Sequence, residues 1–172
     1  SFQAVYTAET AQFGDASDID GDAHLWVLLC DLGDVPGAYY DPGYTNNADM
    51  LVFDYRVDDA GQFGSHELMH DILGNYDIGE AMWVYEGTAM YATNWWGKGS
   101  GPYGDGRHME YIGWANSTNI PLNWASYDTD LMKSMVQYEI AYLFMLYLSD
   151  RYGGPDLIGD LMRDGPSRDP AA

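Results

Sequence analysis

The chain has 172 residues, 47% hydrophobic and 15% aromatic, which suffices for one packed core and is too short for two ordinary domains. Seven Lys and Arg against 27 Asp and Glu leave a formal net charge of −20, which disfavours any surface that tracks nucleic-acid phosphates or anionic lipid. The longest unbroken apolar stretch, Ile140 to Leu148, is less than half of the roughly 20 residues a bilayer needs, so no membrane insertion is expected.

In chain order, the first 57 residues read as β and the remainder mostly as α. DIDGD at Asp18 to Asp22 is a turn, and HLWVLLCD, His24 to Asp31, is a strand by length and apolar content. Cys30, the only cysteine, lies in that run and is expected to be buried and inert; alone it makes neither a disulfide nor a thiolate metal cage. DVPGAYYDPGYTNNAD is dense in Gly, Pro, Asn and Asp and reads as loop. A second strand follows, from Met50 to Tyr55.

Asp59 with Gln62 three residues on resembles a capping box, and Gly74 supplies a stop, so a helix is predicted over 60–73. Asp77 and Glu80 repeat the signature ahead of a helix predicted over 78–96, ending at Gly97. Residues 97–128 are Gly-rich and aperiodic, a long loop region of the kind that often carries function. Asp130 opens a third helix to Tyr152. After Gly153 and Gly154, Pro155 begins a fourth that reaches about Arg163.

The sharpest chemical signal is His66-Glu67-Leu68-Met69-His70. Side chains four apart share one helix face, so two imidazoles can reach one metal ion, with Glu67 beside them to take a proton from a water. A catalytic zinc needs a third protein ligand. The extension that would place Gly at 73 and His or Asp at 76 is missing, since those positions are Leu73 and Tyr76. Of the acids that follow, Asp71 is close by, and Asp77 and Glu80 are better used at a helix start. Glu86 lies in an apolar neighbourhood, MWVYEGTAMY, where an uncompensated carboxylate would be costly, so it is the preferred third ligand. Gly87, Thr88 and Ala89 after it are small enough to let another helix approach. DIDGD looks like the first half of a calcium loop, but position twelve is Leu29 rather than Glu, so turn chemistry is favoured and Ca2+ stays the alternative.

HELMH followed by WVYEG resembles the gluzincin zinc metallopeptidases, and within them the hyicolysin-type neutral metallopeptidases. DIDGDAHLWVLL, TNNADMLVFDY and YEIAYLFMLYLSDRYGG are similar to that family's flanking segments, so the likeness covers most of residues 18–155. The chain departs from it at Val84-Tyr85, where the family has Leu-Asn. The resemblance implies an α+β zincin fold over the single domain 1–172. A small twisted sheet and the active-site helix would occupy 1–75, and a mostly helical half 76–172. It implies a secreted, zinc-dependent endopeptidase acting on protein or peptide as a monomer. His66, His70 and Glu86 would bind zinc, and Glu67 would be the general base. The oxyanion donor would be Tyr138, with Tyr142 and His108 as alternatives; His108 could instead bind a substrate carbonyl. The strand at Met50 and Val52 would hold an extended substrate by edge pairing, over a cleft between the strand end near Tyr55 and the helical half. An inactive zincin that binds peptides or a wall component is the competing reading.

Overall fold

In the computed structural model, which describes residues 1–33, 37–41, 45, 47–57, 60–77, 79–97 and 120–164, the apolar residues of the N-terminal third divide between a helix and a sheet. Helix α1 (Phe2–Phe13) replaces the β structure expected there. Val5, Glu9 and Phe13, four residues apart, form its buried face. The middle position of that stripe is an acid, which breaks the apolar period and hides the helix from the sequence.

Strands β1 (Trp26–Cys30), β2 (Ala38–Tyr40) and β3 (Met50–Asp54) form one sheet in the order β1-β3-β2. β3 pairs in parallel with β1, Trp26 opposite Met50, and antiparallel with β2, Tyr40 opposite Leu51. Leu51, Val52 and Phe53 are all buried, as befits a central strand with both faces covered. β2 lies inside the segment expected to be loop; three residues among Gly and Pro carry too little periodicity to stand out. β1 departs from expectation differently. Trp26, Val27, Leu28 and Leu29 are 41–63% exposed, and Cys30 is half-buried instead of buried.

Helix α2 (Ala60–Tyr76) runs beneath the sheet and past the predicted stop at Gly74. Helix α3 (Met82–Gly97) starts later than predicted. Asp77 does not cap it: its side chain accepts from the Gly79 N–H, a local turn, and Glu80 accepts from Ala81 N–H. Helix α4 (Leu131–Tyr152) begins where the sequence places it, with Asp130 accepting from the Met132 and Lys133 N–H groups. Helix α5 (Pro155–Arg163) follows the two glycines and has Pro at its start. It closes on α1 through Gln12 to Asp156, 2.7 Å, and Arg163 to the Phe13 carbonyl, 2.8 Å.

The result is α+β: a three-stranded sheet and a helical C-terminal half around one apolar cluster. Phe13, Phe53, Leu68, Ile72, Ala92, Met145 and Ile158 belong to it, so α1, β3 and the four later helices all contribute. No helix among the described residues is long and apolar enough to cross a membrane.

Candidate metal centre

α2 carries His66 and His70 one turn apart on one face, their rings edge to face at 4.7 Å. α3 brings Glu86 up to them. Its Oε2 lies 3.1 Å from His66 Nε2 and 3.4 Å from His70 Nε2. A tetrahedral ion with bonds of about 2.0–2.1 Å sets neighbouring ligand atoms roughly 3.3 Å apart; Glu86 stands at that spacing from each imidazole, and all three donors lie within 4.8 Å of one another. The donor chemistry, two imidazoles and a carboxylate, fits as well.

Two close approaches fix these helices. A Cβ on Gly64 would come within 2.5 Å of the Phe2 ring, and one on Gly87 within 3.1 Å of the Ala141 Cβ and carbonyl oxygen. α1 therefore meets α2 just before His66, and α4 meets α3 just after Glu86. The small residue expected to admit a neighbouring helix does so. His70 is oriented by stacking on Tyr85, ring centroids 4.0 Å apart and planes at 7°. Its buried Nδ1 has no hydrogen-bond partner, so packing takes the place of the usual outer hydrogen bond.

The electrostatics show a cluster that favours positive charge at its centre. Burial pulls His66 down, but the Glu86 hydrogen bond and the Glu67 and Glu86 charges outweigh it, and His66 is raised. Burial pushes Glu86 up, but both imidazoles hold it below the ordinary carboxylate range. Glu67 is 6% exposed and its carboxyl is raised, first by burial, against the pull of both histidines and a hydrogen bond from the Tyr40 backbone.

Tyr138 on α4 sits beside the centre, its ring 6.0 Å from that of His66. Burial, then the Glu86 charge, pushes its hydroxyl up, so it stays a protonated donor. Tyr127, which sequence reasoning missed, lies against it: the rings stack at 5.8 Å and 12°. The Tyr127 hydroxyl donates to Glu86 Oε1, so one residue both bonds the carboxylate and packs on Tyr138. The only sequence signal for Tyr127 was an aromatic residue just ahead of the helix that carries Tyr138.

Tyr142, the alternative donor, is one turn away; the charged and polar groups raising its hydroxyl are Glu139, Tyr91 and Asp150 rather than His66, His70 or Glu86. His108 lies outside the described residues. The substrate-binding role given to Met50 and Val52 does not survive. Both hydrogen-bonding sides of β3 are taken, by β1 and β2, and Val52 is 1% exposed. The strand beside the centre is β2, with Gly37 and Ala38 lining a cavity of about 170 Å³ that opens onto His66 and Glu67. The cleft near Tyr55 is displaced accordingly.

A second group, Asp18, Asp20 and Asp49, places three carboxylate oxygens within 4.8 Å of one another. Asp49 accepts from Ile19 N–H at 2.6 Å, and Asp20 accepts from Asp22 N–H at 2.9 Å, the turn chemistry read from DIDGD. Ser17 joins Asp49 to Asp71, the residue after His70; burial pushes the Asp71 carboxyl up to about 6.

Compared with protein-family models, characterised proteins and solved structures, the chain has no match.

Proposed function

We propose that the chain is a zinc-dependent metallopeptidase of gluzincin type, hydrolysing peptide bonds within extended polypeptide. The observation that carries this is the convergence of His66, His70 and Glu86 at zinc spacing with Glu67 buried beside them. A site that served structure alone would gain nothing from a fourth, uncoordinated acid at that position.

His66, His70 and Glu86 hold the ion. Zinc there supplies Lewis acidity and a water that is nucleophilic near neutral pH. Glu67 takes the proton of the attacking water at a carboxylate oxygen as the new C–O bond forms, and then passes it to the amine nitrogen as the C–N bond breaks. The Tyr138 hydroxyl donates to the carbonyl oxygen as that oxygen gains charge, an interaction stronger in the transition state than in the ground state. Substrate lies beside Gly37 and Ala38, in the cavity that opens onto His66 and Glu67.

The test is zinc content by mass spectrometry together with hydrolysis of casein, for the wild type and for Glu67→Gln. The wild type should bind one zinc and cut casein. Glu67→Gln should keep the zinc and lose about 10²–10⁴ in rate. Zinc binding without hydrolysis by the wild type would favour a peptide-binding module instead.

A further inference from the structure

β1 lies at the edge of the sheet, on the side away from β2 and the metal centre. The Trp26 N–H donates to the Asp49 carbonyl at 2.8 Å, and the Cys30 carbonyl accepts from the Tyr55 N–H at 2.9 Å. Trp26, Leu28 and Cys30 therefore turn their backbone groups to β3. By the alternation of a strand, Val27 and Leu29 turn theirs to the outer side, where no described strand pairs with them. Such an edge is a template for another chain, and proteins usually blunt it with Lys, Pro or a bulge. WVLLC has neither Lys nor Pro, and its register against β3 runs unbroken from Trp26 to Cys30. Trp26, Val27, Leu28 and Leu29 are also exposed on both faces of the strand, an apolar surface of the kind that marks a contact site. On the Val27 face a cavity of about 250 Å³ is lined by Phe2, Gln3 and Tyr6 of α1 and by His24, Leu25 and Val27.

Charge decides what fits there. Asp18, Asp20 and Asp22 are exposed just ahead of β1, and His24 beside them is paired with Asp22. At the far end Arg56 lies 3.3 Å from Asp31 and offsets it. The edge is thus apolar along its length and anionic at its N-terminal end. A second copy would bring a further net charge of −20 and the same acids against this strand, so self-pairing is opposed. We propose that β1 is a docking edge for an extended basic polypeptide segment, which adds as a strand along Val27 and Leu29 with apolar side chains on the strand and Lys or Arg against Asp18, Asp20 and Asp22. Antiparallel addition, the more stable pairing, puts the basic residues C-terminal to the apolar run. This surface is separate from the metal centre and does not depend on the peptidase reading.

The probe is a fluorescein-labelled peptide of alternating Val and Thr ending in two Lys, titrated by polarisation into zinc-loaded Glu67→Gln, which does not consume it. Two N-methylated forms block one edge of the peptide each, one at the Val N–H groups and the other at the Thr N–H groups. One form should bind like the parent and the other roughly tenfold or more weakly, because β1 pairs with a single edge. Replacing the two Lys by Glu should also weaken binding roughly tenfold at low salt, and less as salt screens the acids. Amide exchange followed by NMR should show the Val27 and Leu29 N–H groups slowed by the peptide. Val27→Pro removes one outward N–H without touching the β3 ladder and should weaken binding with zinc content kept; the peptide comparisons stand without it. Equal binding of the two methylated forms overturns the proposal, as does indifference to the Lys-to-Glu exchange. Protection at Gly37 to Tyr40 in place of Val27 and Leu29 puts the peptide at the metal centre and overturns it too. A dimer in sedimentation that protects Val27 and Leu29 without peptide assigns the edge to a second copy, and again the proposal fails.

Discussion

Tyr127→Phe isolates one hydroxyl at the metal centre. Tyr127 donates to Glu86 Oε1, while Oε2 of the same carboxylate faces both histidines. Removing the donor keeps the ring stacked on Tyr138 and frees Glu86 to rotate about its last bond. A hydrogen bond to a charged group contributes about 1.5–3 kcal/mol. Tyr127 is 45% exposed, so solvent replaces part of that, and the lower end applies. At about 1.4 kcal/mol per tenfold, the expectation is a loss of about tenfold in zinc affinity, the low edge of the 10–100-fold usual for residues that orient a ligand. Zinc affinity is read by competition with a chelator of known affinity, and folding by thermal melting. Tyr142→Phe, one turn along α4 from Tyr138 and away from the ligands, is the control and should leave zinc affinity unchanged. A Tyr127 variant that holds zinc within twofold of the wild type would show that Glu86 is positioned by its helix alone and that the hydroxyl is a bystander.

Tyr138→Phe should lower kcat by about 10²–10³ with KM, zinc content and Tm little changed; full activity in steady-state kinetics would remove Tyr138 from the mechanism. Glu9 is buried between α1 and α2, hydrogen-bonded by Ser65, and burial raises its carboxyl well above the ordinary value. A raised carboxyl binds more protons in the folded state than in the unfolded one, so stability is present below the unfolded value near 4.3 and is lost as pH rises toward the folded value. Glu9→Gln does not titrate, so its Tm minus that of the wild type should grow as pH rises from 4 upward; a difference independent of pH would refute the assignment. Gly87→Ala places a methyl 3.1 Å from the Ala141 carbonyl oxygen. Overpacking of that kind costs about 1–3 kcal/mol, visible as a lower Tm, whereas an unchanged Tm would mean that α4 yields without strain.

The parts of the fold that were legible in the sequence are those with local causes. Asp130 caps α4 by bonding N–H groups two and three residues on, and Pro155 starts α5 with its own ring geometry. HELMH declares its helix face by spacing alone. The parts that were not legible depend on distant partners. Glu9 sits on a core face because Ser65, 56 residues away, donates to it. Gly74 reads as a stop, but the helix continues through it to Tyr76, where the Tyr76 hydroxyl accepts from the Asp15 N–H, 61 residues away. Asp77 and Glu80 have capping-box spacing, yet each is spent on a bond within two residues of itself, and the helix starts only at Met82. The edge role was assigned to Met50–Asp54, but that strand lies in the middle of the sheet, between β1 and β2, partners no sequence pattern names. Tyr127 is in reach of Glu86 only once α4 and the segment before it have folded back over α3.

The two glycine contacts explain how a site with so few ordinary hydrogen-bond supports can hold its geometry. Each ligand-bearing helix is approached by a neighbour within a residue or two of its ligand: Phe2 at Gly64 ahead of His66, and Ala141 at Gly87 just after Glu86. At Gly87 the near atoms are another helix's backbone and Cβ, which have no rotamer to change, so the separation of α3 and α4 is set by the chain itself. The same approach carries Tyr138, less than one turn before Ala141, to the His66 ring. The distance between Glu86 and Tyr138 is thus fixed by one helix crossing. The remaining freedom, rotation of the Glu86 carboxylate, is taken up by Tyr127, which donates to it and stacks on the Tyr138 ring. A loop-borne side chain at that junction thus ties Glu86 on α3 to the face of α4 that carries Tyr138.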